Sequence, residues 1–329
     1  FNRMINVFIV IIGFLLLVTL VQIVRVGELL DNIRQKDYNL VTAQDNKRQS
    51  FTMLIVGIAF LISCVWQYFA WNPLLLPPAS SEHGKIIDEL MRFTMILIIS
   101  VFFMLHIFLF YFLHKYKKID ENHKAYFYTH NNKLEYIWTI FPAIILTGVI
   151  LYGLNVWDQI TNADTSQSSL VEVYGKQFGW NARYPGVDNS LGKHDYKLVG
   201  GANALGIDMN DEYSLDDKVT RELHLVVGKP VLMKLRSQDI IHSAFMPHFR
   251  VQMNCVPGMT TQFAFTPTKT TAEMKMQEGE DFEYVLLCNK ICGVAHYNMQ
   301  MKVVVETQEE FDEWISGQKT LSEKLLTQK

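Results

Sequence analysis

Cys288-Asn289-Lys290-Ile291-Cys292-Gly293-Val294-Ala295-His296-Tyr297-Asn298-Met299 brings two thiols, an imidazole and a thioether into one short stretch. All four are soft or borderline donors, a set that suits copper and not magnesium or calcium, which take oxygen. A blue-type site with one copper takes one Cys, two His and a weak axial Met. The second Cys here supplies two thiolates, enough to bridge two copper ions. Such a centre needs a further imidazole, and His242 in Asp239-Ile240-Ile241-His242-Ser243, at the end of a predicted strand, is the candidate. On residues alone two other readings stay open. Cys288 and Cys292 form a disulfide in an exported domain, or they hold tetrahedral zinc, which the spacing and the Met fit poorly.

Composition places this stretch in a membrane protein. The 329 residues are 49% hydrophobic, and the apolar residues gather in runs instead of spreading evenly. A net charge of −3 with no block of like charge gives no footprint for nucleic acid. Cys64 lies in an apolar run and Cys255 in a predicted loop, and both read as packing residues. No Cys-x-x-Cys-His haem attachment sequence occurs in these residues.

Runs near 5–24, 52–71, 92–114 and 136–156 are each about long enough to cross a hydrocarbon core of about 30 Å. The first is long for a signal peptide and has no small-residue cleavage site, so it reads as a helix. Trp71, Trp157, Tyr68 and Tyr152 sit near run ends, where interfacial aromatics belong. Arg25, Arg34, Lys36, Lys47 and Arg48 load the first connection, and Lys115, Lys117, Lys118, Lys124 and Lys133 the third. The second carries only Lys85. The positive-inside rule then puts the first and third connections in the cytoplasm and everything after residue 157 outside. Residues 1–157 form the expected membrane domain.

Beyond a polar linker, Asp158 to Ser169, the pattern changes. Short runs at 170–174, 223–227, 231–235, 262–266, 284–287 and 301–306, separated by turn formers such as Gly228-Lys229-Pro230, predict an all-β sandwich or barrel over 158–307. Residues 184–217, rich in Gly, Asp and Asn, read as a long insertion. The tail, 308–329, reads as helical, with Phe311, Trp314 and Ile315 on one face. Asp239 is close enough to His242 to orient its ring, or is a solvated loop carboxylate. The fold class is α plus all-β: about four membrane helices, then a β domain.

Several stretches together resemble subunit II of the haem–copper cytochrome c oxidases, in the bacterial form with extra N-terminal membrane helices. They are Ala79-Ser80-Ser81-Glu82-His83-Gly84-Lys85-Ile86-Ile87-Asp88, Glu135-Tyr136-Ile137-Trp138-Thr139-Ile140-Phe141-Pro142-Ala143, Gln177-Phe178-Gly179-Trp180, Arg183-Tyr184-Pro185-Gly186, Asp239-Ile240-Ile241-His242-Ser243, Val256-Pro257-Gly258 and the Cys288–Met299 loop. The resemblance implies a cupredoxin domain on the periplasmic face of the bacterial inner membrane. It implies a dinuclear copper centre, CuA, that takes electrons from a cytochrome c, or a cytochrome c domain, and passes them to haem a of subunit I. Haem a, CuB and the oxygen chemistry, coupled to proton pumping, belong to that partner subunit. Other oxidase subunits and membrane lipid are the further partners.

Carried over by position, the resemblance makes Cys288 and Cys292 bridging thiolates and His242 and His296 terminal ligands. Met299 becomes a weak ligand, and Lys290 lends its backbone carbonyl. The family usually has Glu at the Lys290 position, with a carboxylate that reaches a magnesium or manganese ion; a Lys side chain cannot replace it. Phe178 stands where the family's electron-input Trp is usual, and Trp180 is retained. Glu135 matches a carboxylate at the mouth of a proton path, although an acidic residue at a helix N-terminus needs no such role. Asp195, Asp208, Asp211, Glu212, Asp216 and Asp217 are expected either to steer a basic donor or to be simply solvated. Three other readings fit these residues less well. A copper-free structural subunit of a quinol-type oxidase is disfavoured by the complete ligand set. A nitrous oxide reductase-type enzyme is disfavoured by the membrane helices. A disulfide-stapled sensor leaves His242 and Met299 unexplained.

Overall fold

The computed structural model describes residues 2–33, 41–120, 122–161, 166–201 and 203–326. Arg34 and Lys36, counted in the first connection, lie outside the described residues, as do 162–165 of the linker. The chain divides into two compact units, Phe1–Cys64 with Phe103–Tyr128, and Val65–Phe102 with Thr129–Lys329.

Four long helices come first: α1 (Asn2–Ile33), α2 (Ala43–Trp71), α3 (Glu82–Lys115) and α4 (Asn132–Thr161). Each contains a stretch long and apolar enough to cross a membrane. Their large apolar side chains are exposed along most of their length, as lipid-facing residues are. All four helices run beyond the apolar runs read from the sequence. In α3 the excess is structural. Its first turns carry Ile86 and Ile87, which pack against the core of the β domain. Ser81 Oγ donates to the Phe249 carbonyl at 2.7 Å, and Arg250 grips Asp88 through two bonds of 2.8 Å. In the first unit, a Cβ on Gly57 would fall 2.3 Å from the Phe110 ring, so α2 and α3 touch there only because that residue is glycine.

The second unit continues as a β-sandwich. One sheet orders β1 (Ser169–Lys176), β2 (Gly179–Tyr184), β3 (Lys218–Thr220), β5 (Val231–Ser237) and β8 (Thr261–Phe265) as β3-β2-β1-β5-β8. The other orders β4 (Leu223–Val226), β6 (His242–Met246), β7 (Val251–Cys255), β9 (Tyr284–Cys288) and β10 (Gln300–Glu306) as β4-β10-β9-β6-β7. Val173, Met233 and Leu235 from the first sheet meet Ala244, Leu286 and Val303 from the second, and all are fully buried. Helix α5 (Thr271–Glu278) and helix α6 (Gln308–Ser316) each begin with a complete capping box, Thr270 with Glu273 and Thr307 with Glu310. A final short helix is α7 (Leu321–Leu326).

The six predicted strand runs all fall on strands, and His242, expected at the end of a strand, is instead the first residue of β6; β2, β3 and β7 were not legible. β2 turns Trp180, Ala182 and Tyr184 into the core and buries a charge on its opposite face, where Arg183 donates to the Gly192 carbonyl of the insertion. Arg183 is completely buried and bonded to Asp217, with Glu172 at 3.4 Å. Cys255, read as a loop residue, is the last residue of β7 and the register partner of His242. The insertion 184–217 is packed: Leu205 and Ile207 close a small second core with Tyr174. Of the acidic residues expected on it, Asp217 is buried, which removes it from any steering role. Asp195, Asp208 and Asp211 accept backbone N–H bonds within the insertion.

Candidate metal centre

β6 and β9 are hydrogen-bonded neighbours, with Ala244 opposite Cys288. That pairing sets His242, the first residue of β6, beside Cys288, the last of β9. From Cys288 the chain makes a loop, 289–299, that returns into β10. Its ends are tied by Cys288 N–H to the Met299 carbonyl (3.0 Å) and Asn289 N–H to the Ser243 carbonyl (2.9 Å). A single helical turn at His296–Asn298 folds His296 and Met299 back over Cys292.

The sequence-selected donors converge. Cys288 Sγ lies 3.9 Å from Cys292 Sγ, 3.7 Å from His242 Nδ1 and 3.2 Å from the Lys290 carbonyl oxygen. Cys292 Sγ lies 3.5 Å from His296 Nδ1 and 3.7 Å from Met299 Sδ. Each thiol thus faces its own imidazole. Both cysteines are free, so the disulfide reading is not the state of this structure. His242, Cys292 and Met299 are almost wholly buried. Two thiols, two imidazoles, a thioether and a carbonyl exceed the four ligands of a structural zinc site and match the soft donors that copper prefers. The residues present fit a copper pair.

The surroundings fix this arrangement. Asp239 Oδ1 accepts from His242 Nε2 at 2.9 Å, which leaves the Nδ1 lone pair turned toward Cys288. Partial burial works to raise the Asp239 pKa. The bonds from the Gln177 N–H, His242 and the Ile240 N–H outweigh it and hold the carboxyl below the ordinary range. Burial, and then the neighbouring Cys288 thiol, push Cys292 up to about 11, so a metal must displace protons to bind. Trp180 is buried and its indole meets the His242 ring in an edge-type arrangement, centroids 5.8 Å apart. Phe178 is 37% exposed and lies over the loop. A Cβ on Gly293, whose φ is +136°, would approach the Phe178 ring and Gln177 Nε2 to 2.9 Å.

Lys290 is exposed and contributes its carbonyl, not its side chain, to this cluster. Glu135 is not brought to it. It is exposed in the first turn of α4, and the 26 residues from there to the helix end at Thr161 span about 39 Å at helical rise. Sequence reasoning gave no role to Gln177, whose side chain donates to the Cys292 carbonyl. Nothing in a lone Gln in a hairpin turn signals such a contact.

Residues 63–156 match the transmembrane domain of cytochrome c oxidase subunit II, and residues 170–308 match its periplasmic domain. The chain belongs to the cytochrome c oxidase subunit II family. It is an oxidase subunit, a membrane protein with an outer-facing β-sandwich domain. It is 29% identical over 272 residues to the alternative cytochrome c oxidase subunit 2 of Bradyrhizobium diazoefficiens, covering 82% of this chain and 91% of the relative. Cytochrome c oxidase subunit 2 of Synechocystis is 22% identical over 288 residues, covering 82% of each chain. Among solved structures, the periplasmic domain of subunit II from Bradyrhizobium japonicum superposes with a TM-score of 0.31 at 22% identity, over 46% of this chain and 93% of that one.

Proposed function

We propose that this chain receives electrons from a c-type cytochrome at a dinuclear copper centre, CuA, and delivers them to haem a of subunit I in a terminal respiratory oxidase. The observation that carries this reading is the pair of free thiols 3.9 Å apart, each faced by its own imidazole. Cys288 and Cys292 would bridge, His242 and His296 would cap the ends, and Met299 and the Lys290 carbonyl would complete the set. When bound, the copper pair supplies a one-electron couple whose charge is shared across two thiolates.

The protein's own contribution is rigidity and dryness. His242 and Met299 are held in a buried pocket, which keeps water, and therefore solvent reorganisation, away from the electron-carrying atoms. Asp239 keeps the ring proton of His242 at Nε2, so Nδ1 stays a donor. Phe178, partly exposed and over Gly293, is the outer contact for the donor, with buried Trp180 beneath it beside His242. Glu135 would serve proton uptake toward subunit I, at the far end of α4. The domain division 1–157, 158–307 and 308–329 is retained as the functional one, with the copper domain on the periplasmic face of the bacterial inner membrane. Subunit I, further oxidase subunits and lipid surround α1–α4.

Rapid mixing of the purified oxidase complex with reduced cytochrome c tests this. Cytochrome oxidation is expected to be lost in Cys288→Ser and slowed about tenfold or more in Phe178→Ala, since a misplacement of about 1 Å can cost on the order of 10²-fold. Undiminished oxidation in Cys288→Ser would sink the reading.

A further inference from the structure

Gln177 occupies the turn between β1 and β2, remote in sequence from every metal-ligand candidate. Its backbone N–H donates to Asp239 Oδ2 at 2.8 Å, and the other oxygen of Asp239 holds His242 Nε2 at 2.9 Å. Its side-chain Nε2 donates to the carbonyl oxygen of Cys292. One residue is therefore bonded to both halves of the donor set, the half that starts β6 and the half carried by the loop between β9 and β10.

The middle of that loop has little else to hold it. Ile291 and Val294 are 87% and 92% exposed. Among the described residues, the bond to Gln177 is the only hydrogen bond from residues 290–295 to a group outside the loop and its flanking Cys288. The fit is close as well as bonded, because Gly293 lacks the Cβ that would strike Gln177 Nε2. A Cys292 free to drift on an exposed loop would not keep its sulfur facing both Cys288 and His296.

We propose that Gln177 is a positioning residue. It fixes the Cys292 half of the site against the His242 half, so that the donors stand in place before any metal arrives. This rests on the copper reading above, and pre-organisation of this kind is what permits a ligand set to bind without first ordering a loop. The residue does not touch the metal-binding atoms themselves and acts through Asp239 and the Cys292 backbone.

The test uses the full chain in detergent, in wild-type form and as Gln177→Met and Gln177→Lys. Met matches the length of Gln but has no donor; Lys keeps an N–H within reach. Gln177 is exposed, so neither change disturbs the core. In metal-free protein, amide exchange over residues 289–295 is expected to quicken about fivefold in Gln177→Met, the loss of one ordinary hydrogen bond. Affinity for added copper, by chelator competition, is expected to fall about 10–100-fold, as for other residues that orient ligands. The copper paramagnetic resonance spectrum should lose equal sharing of the unpaired electron. Gln177→Lys should recover most of each. Wild-type exchange, affinity and spectrum in Gln177→Met would overturn the proposal. Should the wild-type chain take up no copper, the functional reading fails, and the exchange comparison alone still decides for or against Gln177.

Discussion

His242 Nε2 lies 2.9 Å from Oδ1 of Asp239, three residues earlier, and this contact aims the other ring nitrogen at Cys288. Partial burial works to raise the pKa of this carboxyl, and hydrogen bonds from Gln177, His242 and Ile240 outweigh it and hold the pKa below the ordinary Asp range. Asp239→Ala is therefore expected to lower copper affinity about 10–100-fold while leaving the fold intact. Chelator competition measures it, and an unchanged affinity would show that β6 alone orients the ring.

Cys255 separates the copper thiols from a packing thiol. It is fully buried opposite His242, and burial pushes its pKa up to about 12. Iodoacetamide at pH 8 should leave Cys255 unlabelled in the folded chain and label it after denaturation. Cys255→Ala should keep full copper binding at a stability cost of about 1–2 kcal/mol, whereas Cys292→Ser should lose the metal.

The buried charges behind β2 set the acid limit of the outer domain. Glu172 bonds Arg236 at 2.6 and 2.8 Å and has Arg183 at 3.4 Å. Burial alone would raise its pKa, but the hydrogen bonds and charges of Arg236, then Arg183, more than reverse this and lower it. The unfolded chain then binds the proton more readily than the folded one. The stabilisation is fully present above the ordinary Glu value of 4.5 and is lost as pH falls below it toward the folded value. Glu172→Gln, which leaves buried arginine charge uncompensated, should cost about 3–5 kcal/mol at pH 7. Thermal unfolding from pH 7 to pH 3 should fall steeply in wild type and more gently in the variant.

Helix α6 acts on stability and not on the metal. Trp314 stacks on the His224 ring at 3.6 Å and meets Tyr184 edge-on at 5.5 Å. Trp314→Ala should destabilise the outer domain by about 2–3 kcal/mol. Its copper spectrum should match that of wild type; a changed spectrum would mean that α6 also shapes the site.

Much of this molecule is legible in its residues, for identifiable reasons. The four membrane helices announce themselves because lipid demands unbroken apolar runs, and α6 shows itself through the apolar face of Phe311, Trp314 and Ile315, whereas the short α5 was not read from the sequence. The donor residues Cys288, Cys292, His296 and Met299 are legible because a single loop carries them all. β2 and β7 were hidden because they are only 6 and 5 residues long and lie against turn formers, Pro185-Gly186 after β2 and Pro247 and Pro257-Gly258 around β7. The role of Gln177 was hidden for a different reason. Its contacts reach Asp239 and Cys292, 62 and 115 residues away; the pairing of β1 with β5, which sets Gly175 opposite Ser237, brings Asp239 to it, and the pairing of β6 with β9 sets the Cys288–Met299 loop beside His242.

The most direct measurement is the copper content and paramagnetic resonance spectrum of the purified full-length chain after copper loading. Two coppers per chain with one unpaired electron shared between them, absent in Cys288→Ser, is the predicted result. No bound copper, with Cys288 and Cys292 recovered as a disulfide from the freshly purified protein, would contradict the account.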